Sequence, residues 1–456
     1  MRLSKSHRVL FAVPVVAAAA SPAAGQLVAS ALLTEGSALP GDSAVIVDTI
    51  SNVAANGVGG WGVTLADTDS LSRVYATSSL DPSTLTLFRS EGDVLAEGTV
   101  TGVESFFGVS DTLDVLNGLV IDGDEAIYRN SIKAILEPEA TPVPGTFWTF
   151  GSGPDISSGG LGHFVGGFGT VQGGGTQARG VFSVDDVGDV KPLIVAGDVV
   201  GGTGGEIVGS SASPGFGGGV SADGTFYAYE VALDALTSVD GIIVVNDVAA
   251  TSAGGGLLRE GTAIEAAAGG LAGEAWDNFD AVKINEAGTL LVTGDTAGDF
   301  NFDEFLYLGD QIVLREGDAI GSGTVDGAIE WADLNESGDW AVIWDVDFGS
   351  GDVEVLIVNG EIVLVEGDAV DSNNDGVVDA ADAGTLSNFT GLRNLAVGER
   401  INGVVDVYFT ADVDTLGTTG SGDDLESAFR VSVVIPEPGS IAMLGAGALT
   451  LLRRRR

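Results

Sequence analysis

One six-residue phrase keeps returning along the chain, and it restricts the fold to a modular one. Val313-Leu314-Arg315-Glu316-Gly317-Asp318 recurs as Val363-Leu364-Val365-Glu366-Gly367-Asp368, as Phe88-Arg89-Ser90-Glu91-Gly92-Asp93 and as Leu257-Leu258-Arg259-Glu260-Gly261-Thr262. Eroded copies end at Thr34-Glu35-Gly36, Leu136-Glu137-Pro138 and Val195-Ala196-Gly197-Asp198. The seven phrases stand at 35, 91, 137, 196, 260, 316 and 366, a mean spacing of about 55 residues. A unit of that size cannot bury its apolar face alone, so copies must pack against one another.

A second phrase falls between copies of the first. Asn285-Glu286-Ala287-Gly288-Thr289 and Asn335-Glu336-Ser337-Gly338-Asp339 are clear, and Ser221-Ala222-Asp223-Gly224-Thr225 is weaker. Each opens a turn with a short polar side chain, and glycine supplies the left-handed residue. One unit then reads as four strands. Ala328 to Leu334 alternates, Trp340 to Trp344 is apolar, and Val353 to Val358 meets Glu361 to Val365 across Asn359-Gly360, a strong hairpin signal.

Four antiparallel strands make one propeller blade. The expected fold is therefore all-β, a β-propeller of about seven four-stranded blades. Leu27 to Gly36 is a fourth strand with no first three before it, and Ala428 to Val434 is a third strand with no partner after it. The N-terminal strand is expected to close the last blade; an open solenoid or tandem sandwiches would leave both ends unexplained. The paired phrases resemble secreted tandem-repeat proteins with an Asn-x-x-Gly-x-x-Ala-Phe pattern and varied C-terminal anchors. No activity follows from that resemblance.

The repeat body is read as residues 26–434. Residues 1–25 have the composition of a secretory signal peptide: Arg2, Lys5 and Arg8, an apolar stretch from Val9 to Ala20, then small residues before Gln26. At the other end Pro436-Glu437-Pro438 leads into Ile441 to Leu452 and stops at Arg453-Arg454-Arg455-Arg456. That apolar run is shorter than the roughly 17–25 residues of a spanning helix. It reads as a short anchor helix in transient contact with the inner membrane, with its arginines on the cytoplasmic side. Residues 435–456 resemble the PEP-CTERM sorting signal of bacterial envelope and extracellular proteins. The resemblance implies an exosortase-type sorting protease as partner, acting near Pro436-Glu437-Pro438, and delivery to the cell envelope, cell surface or extracellular matrix. A tail anchor that is never cut is the alternative.

Seven of the 19 basic residues lie in these two end segments but only one of the 65 acids, leaving 12 basic against 64 acidic residues in the body. Nucleic-acid binding is excluded, because it needs clustered Lys and Arg. Cysteine is absent and His163 is the one histidine beyond the leader, which removes thiol nucleophiles and multi-histidine metal centres. His163 follows Gly159-Gly160-Leu161-Gly162 and is expected on a glycine-rich surface loop. Most of the six tryptophans fall at alternating positions and are expected to fill the core rather than stack on sugars. The Glu-Gly-Asp acids are expected to face water, with the glycine turning the chain.

One loop has the spacing of a calcium site. Asp371, Asn373, Asp375, Asp379 and Asp382 place oxygens at positions 1, 3, 5, 9 and 12, Gly376 takes the tight turn, and Val377 offers its carbonyl. The insertion 371–382 resembles EF-hand and especially dockerin loops, although a dockerin has two. One Ca2+ is the expected cofactor, stiffening the last blade; a solvated acidic turn is the bland reading. No phosphate loop, dinucleotide fingerprint or serine elbow is present. The function expected is a non-enzymatic structural or interaction module. Binding of extracellular polysaccharide, or acid-catalysed glycoside hydrolysis on the propeller, is the alternative.

Overall fold

The computed structural model describes residues 27–210, 218–298, 302–379, 382, 384–389, 395–415 and 424–435. The leader, Pro436-Glu437-Pro438, the apolar anchor segment and Arg453 to Arg456 lie outside them. Among the described residues helix is confined to two three-residue 3-10 turns, Pro82–Thr84 and Ala266–Ala268. None is long and apolar enough to cross a membrane.

The described chain forms seven antiparallel sheets in a propeller arrangement. The four main strands of blade 1 are Asp42–Ala55, Trp61–Asp67, Ser72–Thr77 and Thr86–Ser90, with the short strand Ala38–Leu39 before them on one side. Blade 2 runs from Val100–Val109 to Ile132–Leu136, and blade 3 from Phe147–Ile156 to Val190–Val195. Blade 4 begins at Gly219–Val220, blade 5 at Trp276–Ile284 and blade 6 at the short strand Ala319–Ile320, followed by Gly323–Leu334. Blade 7 comprises Thr385–Phe389, Leu395–Val397, Val404–Asp414 and Leu425–Val434. Its outer strand is Ala29–Thr34, which pairs antiparallel with Leu425–Val434.

The core lies in the seams between blades. Leu116 and Ile127 of blade 2 pack with Trp148 and Phe164 of blade 3; Leu291 and Leu306 of blade 5 pack with Trp340 and Trp344 of blade 6. A further seam joins blade 7 to blade 1, with Leu32, Leu33, Tyr408 and Ala428 against Val47 and Trp61. A strand packed on both faces cannot alternate, which explains why Trp61–Asp67 and Trp340–Asp347 are apolar and buried almost throughout. Five of the six tryptophans are buried, as core filling requires. Trp331 is the half-buried one.

Two sequence expectations need correction. His163 is not on a surface loop: it lies in the strand Gly162–Gly169, every residue of which is buried, and is itself 3 % exposed. Glycine makes that strand possible, because a Cβ at Gly166 would stand 2.5 Å from the Trp148 ring and one at Gly167 would stand 2.1 Å from Phe150. The aromatic rings of neighbouring strands occupy the space that side chains would take. Nor do the Glu-Gly-Asp acids simply face water. The aspartates accept the N–H three residues back, Asp318 from Arg315 at 3.0 Å and Asp368 from Val365 at 2.9 Å. The glutamates reach the start of the third strand, Glu260 to the Gly241 N–H at 2.9 Å and Glu316 to that of Asp303 at 3.1 Å. Glycine between them takes the left-handed turn, as expected, with φ of 88° at Gly317 and 93° at Gly367.

Candidate functional site

The turns between first and second strands, the second phrase among them, also tie blades together. The Asn56 side-chain amide donates to the Ser110 carbonyl at 3.1 Å, and the Asp111 N–H donates to the Ser158 carbonyl at 2.8 Å. Asn335 donates to the Gly398 carbonyl at 2.8 Å, and the Glu336 N–H donates to Glu399 at 2.5 Å. The Glu336 carboxylate spans non-adjacent blades. It accepts the Ala222 N–H of blade 4 at 2.5 Å and the Glu286 N–H of blade 5. Burial, reinforced by Glu286 and Glu399, holds its carboxyl above the usual range despite those two donors.

Beneath this girdle the first strands converge on an axial cavity of about 140 Å³. Its wall includes Asn52 from blade 1, Phe107 from blade 2, Asp155 from blade 3, Lys283 from blade 5 and Trp331 and Asp333 from blade 6. His163 lines it from the second strand of blade 3. Lys283 Nζ stands 3.6 Å from Asp155 and 3.5 Å from Asp333. Asp333 also accepts the Val397 N–H at 2.8 Å; burial raises its pKa, and Lys283 opposes the rise. His163 Nε2 is 4.0 Å from Asp155, and its Nδ1 is hydrogen-bonded to the Tyr229 hydroxyl. Asn52 is 3 % exposed, and no protein group donates to its Oδ1.

Sequence reasoning missed this site. The residues stand up to 281 positions apart, from Asn52 to Asp333, and no local pattern links them. The only available signal was scarcity, since His163 is the sole histidine and Lys283 one of three lysines outside residues 1–26.

The calcium-loop residues occupy a different place, between blade 7 and the N-terminal strand. Asp371 is fully buried; its carboxylate accepts from Ser30 Oγ at 2.7 Å and from the N–H groups of Gly376 at 2.8 Å and Asp375 at 3.1 Å. Its backbone bridges the N-terminal strand, with the Asp371 N–H donating to Ala29 and the Ala31 N–H donating to Asp371, both at 2.9 Å. Asn373 accepts from the Asp375 N–H at 2.9 Å, and Asp375 from the Val377 N–H at 3.0 Å. Gly376 takes φ of 88° at the required turn. Asp382 accepts the Asp379 N–H at 2.8 Å and the Ser372 N–H at 2.9 Å. The Asp379 N–H, followed by the Ser372 hydroxyl and the N–H groups of Asn373 and Ser372, holds the Asp382 carboxyl below the ordinary range. Thus the carboxylates hold loop N–H groups rather than one another. Among the described residues no three acidic or histidine side chains converge as metal ligands.

No curated protein matches the chain. Solved structures similar to it include a prolyl endopeptidase, at TM-score 0.39 and 10% identity, covering 86% of this chain and 51% of that one. Prolyl oligopeptidase B from Galerina marginata is similar at TM-score 0.42 and 10% identity, covering 88% and 52%. TolB from Acinetobacter baumannii is similar at TM-score 0.27 and 10% identity, covering 87% and 67%. The chain spans about half the length of the two peptidases. At such low TM-scores none of these likenesses bears on function. The match that does is at the C-terminus, where residues 434–456 fit the PEP-CTERM protein-sorting motif. The chain is thus an exported propeller protein that carries a sorting signal for the cell envelope.

Proposed function

We propose that this protein is a non-enzymatic propeller placed on the cell surface or in the extracellular matrix, where it acts as a structural or interaction module. A leader at 1–25 starts export, and an exosortase-type protease removes the segment beyond Pro436-Glu437-Pro438. The sorting motif carries this reading. Calcium held by Asp371, Asn373, Asp375, Val377, Asp379 and Asp382 then stiffens the last blade. The all-oxygen donor set and the left-handed turn at Gly376 suit that ion. Because Asp371 is bonded to Ser30, such a calcium would also hold the N-terminal strand on blade 7 and so favour a closed ring.

Fractionation followed by intact-mass analysis tests the sorting step. The outer fraction is expected to contain protein lacking Arg453 to Arg456. Full-length protein still ending at Arg456 in that fraction overturns sorting by cleavage.

A further inference from the structure

We propose that the axial cavity binds one neutral sugar ring, held by Asn52, Lys283, Asp155 and Asp333 and flanked by Trp331. The inference goes beyond the export and scaffold reading and depends only on the propeller.

The chemistry of the wall selects the ligand class by elimination. Two carboxylates inside the cavity, with Glu336 and Glu399 lining it from the girdle, repel an anion. A divalent cation lacks a triad of ligands and would face the Lys283 ammonium. An organic cation is disfavoured because the Lys283 ammonium already stands between Asp155 and Asp333, where its charge would have to sit. What remains is a neutral ligand that both donates and accepts, which is the property of a hydroxyl group.

The polar groups are arranged for such a ligand. Lys283 reaches its two carboxylates only at 3.5 and 3.6 Å, longer than the roughly 2.7–2.9 Å of a close charge-assisted hydrogen bond. A hydroxyl seated beside such a pair can donate to the carboxylate while accepting from the ammonium. The buried Asn52 Oδ1 is an acceptor without a donor, and leaving such an atom unsatisfied is costly. A sugar hydroxyl supplies that donor. Trp331 is the one half-buried tryptophan: it packs on the core between blades 6 and 7, and part of its surface lies on the cavity wall. An aromatic face beside mixed donors and acceptors suits a ring with an apolar C–H face and a hydroxylated rim.

The test titrates purified full chain with glucose, galactose, mannose, fucose and N-acetylglucosamine by saturation-transfer NMR and calorimetry. Their glycosides with a bulky aglycone and glucuronic acid are run alongside. Saturable binding of at least one neutral sugar, with glucuronic acid inert, is expected. Binding of the glycoside as well identifies the terminal unit of a glycan as the source, and binding of the free sugar alone identifies a free monosaccharide. Asn52→Leu, which removes the orphan oxygen at nearly the same side-chain volume, is expected to weaken binding at least tenfold while the unfolding midpoint stays near that of the parent. Lys283→Met should do the same where it folds. No neutral sugar bound at millimolar concentration, or Asn52→Leu binding as tightly as the parent, overturns the assignment.

Discussion

Asp318 shows why so short a phrase can recur with such regularity. Its carboxylate closes a turn by accepting the Arg315 N–H, Gly317 supplies the left-handed residue, and Glu316 secures the Asp303 N–H of the third strand. Three consecutive residues thus satisfy backbone groups that the strand end would leave open. Replacing Asp318 by Ala removes one acceptor and should cost about 1 kcal/mol in denaturant unfolding. Gly367→Ala should cost roughly 1–2 kcal/mol through backbone strain alone. Its φ is 93° and no atom lies within 4 Å of a Cβ built there, so no clash contributes. An unchanged unfolding midpoint in both variants would remove this account of the phrase. The phrase was legible in sequence because its chemistry is local. The capping role of its acids was not, since an exposed and a capping carboxylate are written with the same letter.

Acidic rungs are the distinctive feature of the strands. Asp295 pairs with Glu304 in blade 5, Asp345 with Glu354 in blade 6 and Asp412 with Glu426 in blade 7. Like charges directly opposite on antiparallel strands are destabilising. Some of these acids repay the cost by bridging blades: Glu354 accepts the Phe389 N–H at 2.6 Å, and Glu426 accepts that of Ile50 at 2.8 Å. Burial, then Asp352 and other nearby acids, lifts Asp345 to about 6. Burial, with Asp345 and Glu330 adding and the Phe389 N–H opposing, lifts Glu354 to about 7. Glu304, whose Oε2 has no hydrogen-bond partner, is raised furthest by burial and then by Asp295 and Asp280. Folded values above the ordinary carboxylate range mean that the native state holds the extra protons. Their stabilisation is full below about pH 4 and is lost as pH rises through about 6 to 7 and beyond. The thermal midpoint should therefore fall between pH 5 and pH 8. Glu304→Gln should stabilise the protein by roughly 1 kcal/mol at pH 8 and flatten that slope. A slope unaltered by Glu304→Gln counts against the rungs as its source.

At the scale of the whole molecule, the first and last described strands meet in blade 7, beside the acidic loop. Calcium binding there should add about 2.7 kcal/mol to unfolding stability at a concentration 100 times its dissociation constant. Asp375→Asn keeps the side-chain oxygen that caps the Val377 N–H but removes a charge, so it should need markedly more calcium for the same gain. A melting temperature indifferent to both calcium and chelator would exclude the proposed ion.

The all-β class, about seven blades and the hairpins were legible in the sequence alone. Turn chemistry such as Asn359-Gly360, with φ of 50° and 84°, acts over a few residues, and an apolar run is visible wherever a strand is buried on both faces. Tertiary structure alone decided the burial of His163, the bridging by Glu336 and the axial cavity. Those features depend on strands far apart in the chain meeting around one axis, and in a body with 64 acids no local pattern marks which carboxylates will turn inward.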